Sequence, residues 1–177
     1  MLEIGKAGAQ DAEELLEFCR AVGGETDNLS FGPEGLPVSV SQEKAWLESF
    51  SEADKQIFLV AREAGKIVGT ASLTGFAKPR MAHRGEISIS VRKYMWGKRV
   101  GTRLMEELIR RAEQFSLEIL SLEVRSDNER AIGLYRKFGF ETIGTFRGFM
   151  KIDGEPVAYD MMCLHLPEEK KHFSAKE

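Results

Sequence analysis

Two short stretches of this chain hold residues whose types and spacing suit chemistry. In "YMWGKRVGTRLMEELIRRAEQ", residues 94–114, Gly97, Lys98, Arg99 and Gly101 stand where an amphipathic helix begins. The first turn of a helix carries backbone N–H groups without intrahelical partners and the positive end of the helix dipole. It therefore binds anions, phosphates above all. Lys98 and Arg99 would either pair with phosphate oxygens or stay a solvated basic pair. Gly101 would either bare the backbone or let helix pack closely on strand. In "GEISISV", residues 85–91, strict alternation puts Glu86, Ser88 and Ser90 on one face and Ile87, Ile89 and Val91 on the other. A central strand of a mixed sheet is normally apolar on both faces. A polar face there predicts a wet cleft, with Glu86 as a candidate general base. On an edge strand the same residue would be an ordinary surface acid.

The elements that must hold these residues follow from periodicity. "LEIGKA", residues 2–7, reads as a short edge strand. "QDAEELLEFCRAV" reads as a helix with Leu15, Leu16, Cys19 and Val22 at helical spacing, Asp11 as N-cap and Glu14 three residues on. Residues 23–40 carry most of the loop chemistry, and a loop that long is often functional. Ser41 then caps "QEKAWLESFSEA", whose apolar face is Trp46, Leu47 and Phe50. Strands "KQIFLVARE" and "GKIVGTASLTGF" are joined by the turn "EAGK". The helix of the opening stretch has Val100, Leu104, Leu108, Ala112 and Phe115 on one stripe. "LEILSLEVRS" is a further strand, and "DNERAIGLYRKFGF" a helix with Ala131, Leu134, Tyr135 and Phe138 on one face and Gly139 as its C′ residue. Strands over 140–152 and 156–166 meet at Asp153-Gly154, a strong hairpin signal. The order βααβββαβαββ predicts an α/β chain with a single mixed sheet of about seven strands and helices on both faces. Residues 1–166 read as one domain and 167–177 as a charged tail.

Composition narrows the function. Of the 177 residues, 42% are hydrophobic and 30% charged, with a net charge of −3. That balance lacks the basic excess of a general nucleic-acid binder, so no nucleic-acid partner is expected. No apolar run reaches the length of about 18 residues that crosses a bilayer, and the first ten residues lack the apolar core of a signal peptide. The expectation is a cytoplasmic protein without a membrane partner. Cys19 and Cys163 have no second cysteine nearby and read as small hydrophobes, while His83 and His165 have no ligand partner at metal spacing. No metal is expected. The P-loop, the dinucleotide fingerprint and the nucleophile elbow are all missing from the sequence.

The window Trp96-Gly97-Lys98-Arg99-Val100-Gly101 resembles the strand–turn–helix signature of the GNAT (Gcn5-related) N-acetyltransferases, [QR]-x-x-G-x-[GA]. Gly101 matches the final small residue. Trp96 stands where that family usually has Gln or Arg, and Arg99 where it has its first Gly. "DNERAIGLYRKFGFETIG" is similar to the family segment N-x-x-A-x-x-L-Y-x-K-x-G-F, with Asn128, Ala131, Leu134, Tyr135, Lys137, Gly139 and Phe140 in place. The element order agrees over nearly all of residues 2–166. "GTFRGFMKIDGEPVAYDMMCL" resembles the closing hairpin of the branch near spermidine and ribosomal-protein N-terminal acetyltransferases.

The resemblance implies the GNAT fold and an acetyl-CoA-dependent N-acetyltransferase. Its acceptor would be a primary amine, whether a small amine, a polyamine or a peptide N-terminus, attacking the thioester directly in a ternary complex. A catalytically weak CoA-binding sensor of the same fold is the alternative. Acetyl-CoA would lie where "GEISISV" and "LEILSLEV" splay apart, against Ile89, Ser90 and Val91 and against Gly97, Lys98, Arg99, Val100, Gly101 and Thr102. The Val91 N–H would serve the oxyanion. Asn128 would hydrogen-bond the pantetheine arm, or else cap its helix, a role open also to Ser126 and Asp127. Glu86 would take the amine proton through a water. Tyr135 would protonate the leaving sulfur, unless it only completes an apolar stripe. A homodimer is the expected assembly, since closed symmetric dimers are the commonest oligomers.

Overall fold

A computed structural model of the chain describes residues 1–52 and 55–167. Its elements are β1 (Leu2–Lys6), α1 (Ala12–Glu25), α2 (Val40–Glu52), β2 (Gln56–Glu63), β3 (Lys66–Gly75), β4 (Arg84–Val91), α3 (Val100–Gln114), β5 (Ile119–Arg125), α4 (Glu129–Lys137), β6 (Glu141–Ile152) and β7 (Glu155–His165). The strands form one seven-stranded sheet in the order β1-β2-β3-β4-β5-β7-β6. Among the described residues only β4 and β5 pair in parallel, and α3 is their crossover. The mixed sheet and the element order agree with the sequence reading. The expected tail beyond Pro167 lies outside the described residues.

Both hairpins close as their sequences require. Ala64 and Gly65 have φ of 49° and 77°, and Asp153 and Gly154 have φ of 50° and 84°. Two successive positive φ values mark the turn whose twist matches a hairpin. Alternation along β2 then sorts side chains to two layers. Ile57, Leu59 and Ala61 join the core under α3, while Phe58 and Val60 face α1 and α2 with Leu15, Phe18, Val22 and Leu47. The predicted stripe Val100, Leu104, Leu108 and Ala112 is buried in full, and Phe115 lies just past the helix end, partly buried. Burying each such leucine contributes about 1.5–3 kcal/mol. The second layer, α1 with α2, covers β1–β3 through Ala7, Val60 and Ile67.

Two caps differ from expectation. Asp11 precedes α1 without capping it; its carboxylate accepts from Gly8 N–H at 2.8 Å and pairs with Arg62 at 2.6 Å. Glu14 reaches Arg62 and the Ile67 N–H instead of closing a capping box. For α2 the cap is Ser39 rather than Ser41: Ser39 Oγ accepts from Gln42 N–H and Gln42 Oε1 accepts from Ser39 N–H. The box S-x-x-Q thus starts two residues earlier. Helix α1 also runs on to Glu25, through Gly23, where a Cβ would meet Gly32 O at 2.1 Å. Only glycine lets the following loop fold back against the helix there.

Candidate active site

Strands β4 and β5 are in register only from Arg84↔Ile119 to Glu86↔Ser121. β4 continues to Val91 and β5 to Arg125, so beyond Glu86 the two diverge. A cleft of about 730 Å³ occupies the gap. Arg92 N–H donates to Val68 O and Phe76 N–H to Arg84 O, so the even-numbered residues of β4 turn their backbone groups to β3. In an antiparallel ladder the odd-numbered ones then point the other way. Ile89 and Val91 accordingly present their N–H groups to the gap. The Val91 carbonyl is held by Trp96 Nε1–H at 2.9 Å.

The far wall of the cleft is the start of α3. Arg103 N–H donates to Arg99 O at 3.0 Å, whereas Val100, Gly101 and Thr102 precede this first intrahelical donor. No side chain caps them and no acid lies in the first turn. These three N–H groups, with Gly97 in front of them at φ 77° and nothing within 4 Å of a Cβ built on it, fit a phosphate. Arg99 holds the N-cap with φ 64° and ψ 11°, the left-handed region that favours glycine. Its side chain is exposed on the cleft rim, so the substitution spares the backbone donors. Gly101 packs closely against a helix rather than a strand: its Cβ would sit 3.0 Å from Leu134 Cδ2 of α4, which would have to shift by a few tenths of an ångström. The turn itself is clamped from α1, because Glu25 accepts from Arg92 Nε at 2.9 Å and from Lys93 N–H at 2.7 Å.

Of the residues expected in the site, Glu86, Ile89, Ser90, Val91, Gly97, Arg99, Val100, Gly101, Thr102, Asn128 and Tyr135 line this one cleft. Lys98 does not. Its ammonium lies 3.9 Å from Met95 Sδ and over the Tyr94 ring.

Asn128 is itself the N-cap of α4, its Oδ1 accepting from Ala131 N–H at 3.3 Å. Ser126 and Asp127 are engaged by Asp160 and Arg125 instead. That leaves the Asn128 amide nitrogen for the cleft. Tyr135 is 7% exposed, its ring 5.9 Å from that of Phe140. Its hydroxyl makes no hydrogen bond to another described residue. Burial pushes that hydroxyl up to about 12, which keeps it protonated at neutral pH.

Glu86 and Ser88 are exposed on the polar face of β4, and Ser88 Oγ meets Ser72 Oγ at 2.7 Å. Two further residues were not found from the sequence. Glu123 of β5 lines the same gap, and burial together with the negative charge of Glu86 pushes its carboxyl above the usual carboxylate range. Its position was legible as the polar side of "LSLEVR", but only pairing with β4 turns that side toward Glu86. The second is Arg130, in the first turn of α4, which lines the cleft near Trp96. Above the carboxylates, the loop after α1 is tied down at two carbonyls. Arg125 Nη1 donates to Asp27 O at 3.2 Å and Tyr159 Oη to Asn28 O at 3.3 Å.

The cleft is therefore cationic and rich in N–H donors at one end and anionic at the other. That polarity suits an anionic phosphorylated donor and a cationic acceptor. The sequence profile of the acetyltransferase (GNAT) family matches residues 12–140. The L-methionine sulfoximine/L-methionine sulfone acetyltransferase of Pseudomonas aeruginosa is 33% identical over 143 residues, covering 80% of this chain and 81% of that one. An acetyltransferase of the GNAT family from Streptococcus pneumoniae superposes with a TM-score of 0.90 at 31% identity, covering 94% and 100% of the two chains. A ribosomal-protein-alanine N-acetyltransferase from Brucella melitensis does so with 0.80 at 29% identity over 93% and 99%. The chain thus belongs to the GNAT acetyltransferase family, and it is an acetyl-CoA-dependent N-acetyltransferase.

Proposed function

We propose that this enzyme acetylates the α-amine of a free amino acid or a closely related small amine. The observation that carries the reading is that Glu86 and Glu123 line one cleft with the donor-rich start of α3, close enough for the Glu86 charge to act on Glu123. Bound acetyl-CoA supplies the thioester carbonyl. The N–H groups of Val100, Gly101 and Thr102, with Arg99, hold its phosphates, and the Val91 N–H meets the carbonyl oxygen as negative charge develops there. Ile89 and Ser90 flank the pantetheine arm, and the Asn128 amide donates to it.

An alkylamine has a free pKa near about 10 and must lose a proton before it attacks. Glu86 takes that proton, and beside it burial and the Glu86 charge hold the Glu123 carboxyl above the usual carboxylate range. Tyr135 faces the departing sulfur. With its hydroxyl at about 12 and an alkyl thiol near about 8.5, complete transfer is uphill by about 5 kcal/mol. Tyr135 Oη–H therefore serves as a hydrogen-bond donor to the sulfur. Full transfer follows only where the site raises the sulfur too.

The amino-acid reading draws on the 33% identical relative, whose name specifies methionine analogues. A peptide N-terminus is the second reading. A polar groove of about 500 Å³, lined by Thr26, Asp27, Asn28, Arg125, Asp127 and Arg130 among others, shares residues with the cleft and would take a chain beyond the first residue. Residues 1–166 act as one catalytic unit in this reading, placed in the cytoplasm. We include a homodimer: β6 is a sheet edge, and Ile143, Phe146 and Met161 are 64%, 55% and 42% exposed. Sedimentation as a monomer would remove that part.

The test is release of CoA thiol with amino acids, peptides and polyamines as acceptors. Free amino acids should give the highest kcat/KM. Preference for peptides establishes the second reading, and preference for polyamines overturns both.

A further inference from the structure

Trp96 occupies a position where the family pattern has Gln or Arg, so the turn lacks a polar side chain there. The structure fills the space from another element. The Arg130 guanidinium lies over the Trp96 ring, 4.8 Å from its centroid, while Trp96 Nε1–H anchors the ring to Val91 O. Arg130 is in the first turn of α4, four residues before Leu134, so both share a helix face. A Cβ on Gly101 would touch Leu134 at 3.0 Å. Arg130 therefore stands one helical turn nearer the α4 N-terminus than the residue that abuts the start of α3. Both Trp96 and Arg130 line the cleft alongside Gly97, Arg99 and Gly101.

The chemistry of the pair is specific. Among the described residues Arg130 has no carboxylate partner, whereas Arg110, Arg111 and Arg125 each have one. Its contact is an aromatic face, which engages the guanidinium through its π system and leaves the N–H edge free. An arginine resting on a ring in that way is partly pre-oriented, so it has less rotamer freedom left to lose on binding. Such a group suits a doubly charged oxyanion, which accepts two parallel N–H bonds.

We propose that Arg130, carried on the Trp96 ring, is a phosphate-binding residue of the coenzyme site, reaching the donor's phosphates from α4 rather than from the strand-to-helix turn. The proposal rests on the reading of the α3 start as the phosphate cradle. It explains how the turn dispenses with a polar residue at position 96: the tryptophan supplies the platform and α4 the cation.

The experiment is titration calorimetry of the full chain with CoA and with pantetheine, which has no phosphate, each at several salt concentrations. Trp46→Phe leaves Trp96 as the sole tryptophan, and its fluorescence reads binding independently. Arg130→Ala is expected to weaken CoA binding by roughly 10-fold or more, the scale of a charge-assisted hydrogen bond. It should leave pantetheine within about two-fold and flatten the dependence of the CoA Kd on salt. Arg130→Lys should recover only part of the affinity, since an ammonium lacks the planar fork. CoA should change the Trp96 emission in the Trp46→Phe chain, and at the same CoA concentration change it much less once Arg130→Ala is added.

An unchanged CoA Kd and salt slope in Arg130→Ala overturns the proposal. Equal weakening of CoA and pantetheine also overturns it, and makes the pair a structural strap between the turn and α4. If Arg130→Ala does not fold, Arg130→Gln is measured in the same way. A wild-type chain that binds no CoA at all defeats the coenzyme reading itself, a result distinct from either of these.

Discussion

The two ends of the cleft are built from different materials. In the proposed site the coenzyme end is built first from backbone N–H groups of Val100, Gly101 and Thr102, set by the start of a helix whose stripe is buried, with side chains such as Arg130 added around them. At the acceptor end the groups are side chains, Glu86 and Glu123, brought from strands on either side of a 15-residue helix. A backbone site tolerates changes in residue type as long as the conformation survives. That is why Trp96 and Arg99 can replace the usual motif residues. A side-chain site has no such latitude, because in the proposed mechanism the carboxyl groups themselves do the work.

This contrast predicts that losses should be steep at the acceptor end and shallow at the coenzyme end. The largest effect is expected for Glu86→Gln, which should lower kcat/KM at neutral pH by about 10² to 10⁴-fold, the range of general-base assistance. Activity should partly recover as pH rises and the amine deprotonates unaided. Full activity in Glu86→Gln together with a dead Glu123→Gln would move the base to β5 and keep the contrast.

Tyr135→Phe comes next. Its hydroxyl has no hydrogen-bond partner among the described residues, so folding stability should hold within about 1 kcal/mol. In contrast, kcat should drop by about 10²-fold. A smaller loss is expected with an acetyl donor whose thiol is more acidic. Chemical denaturation and steady-state kinetics on one preparation check both halves of this expectation.

The third effect is a displacement in pH. Burial and the Glu86 charge hold the Glu123 carboxyl above its ordinary value. A raised folded-state value means that the protonated form is favoured on folding. The associated stability is present below the ordinary carboxylate range and is lost as pH rises through the raised value. Replacing Glu86 by Gln removes the second of the two causes. The Glu123 carboxyl, followed by NMR titration, should then titrate at lower pH than in the wild type. An identical titration curve would mean that the two groups do not sense one another.

The smallest effect is expected at Arg99. Changing it to glycine relieves a left-handed backbone conformation but adds chain entropy to the unfolded state. Stability should move by less than about 1 kcal/mol, and CoA affinity by only a few-fold, because the donors are backbone groups. Loss of CoA binding in Arg99→Gly would show that the coenzyme end depends on this side chain after all.

Much of the molecule was written locally. The stripe from Val100 to Ala112, the Asp153-Gly154 turn and the polar alternation of β4 each depend on residues within a few positions of one another. Periodicity and turn chemistry therefore located them, and Gly101 came with them, whereas Asn128 and Tyr135 were singled out by the resemblance of residues 127–144 to a family segment. Ser39 in place of Ser41 and the engagement of Asp11 by Arg62 were misjudged for a related reason. Several residues there could cap, and the choice fell to partners such as Gln42 and Arg62. The sequence by itself determined the elements, their order and the donor-rich start of α3. Only the tertiary structure decided that β5 leaves β4 after Glu86, that Glu123 faces the resulting gap and that Arg130 lies on Trp96. Those relations join residues that lie on opposite sides of helix α3 in the chain. No local period encodes them, because they arise when separate buried faces find a common core.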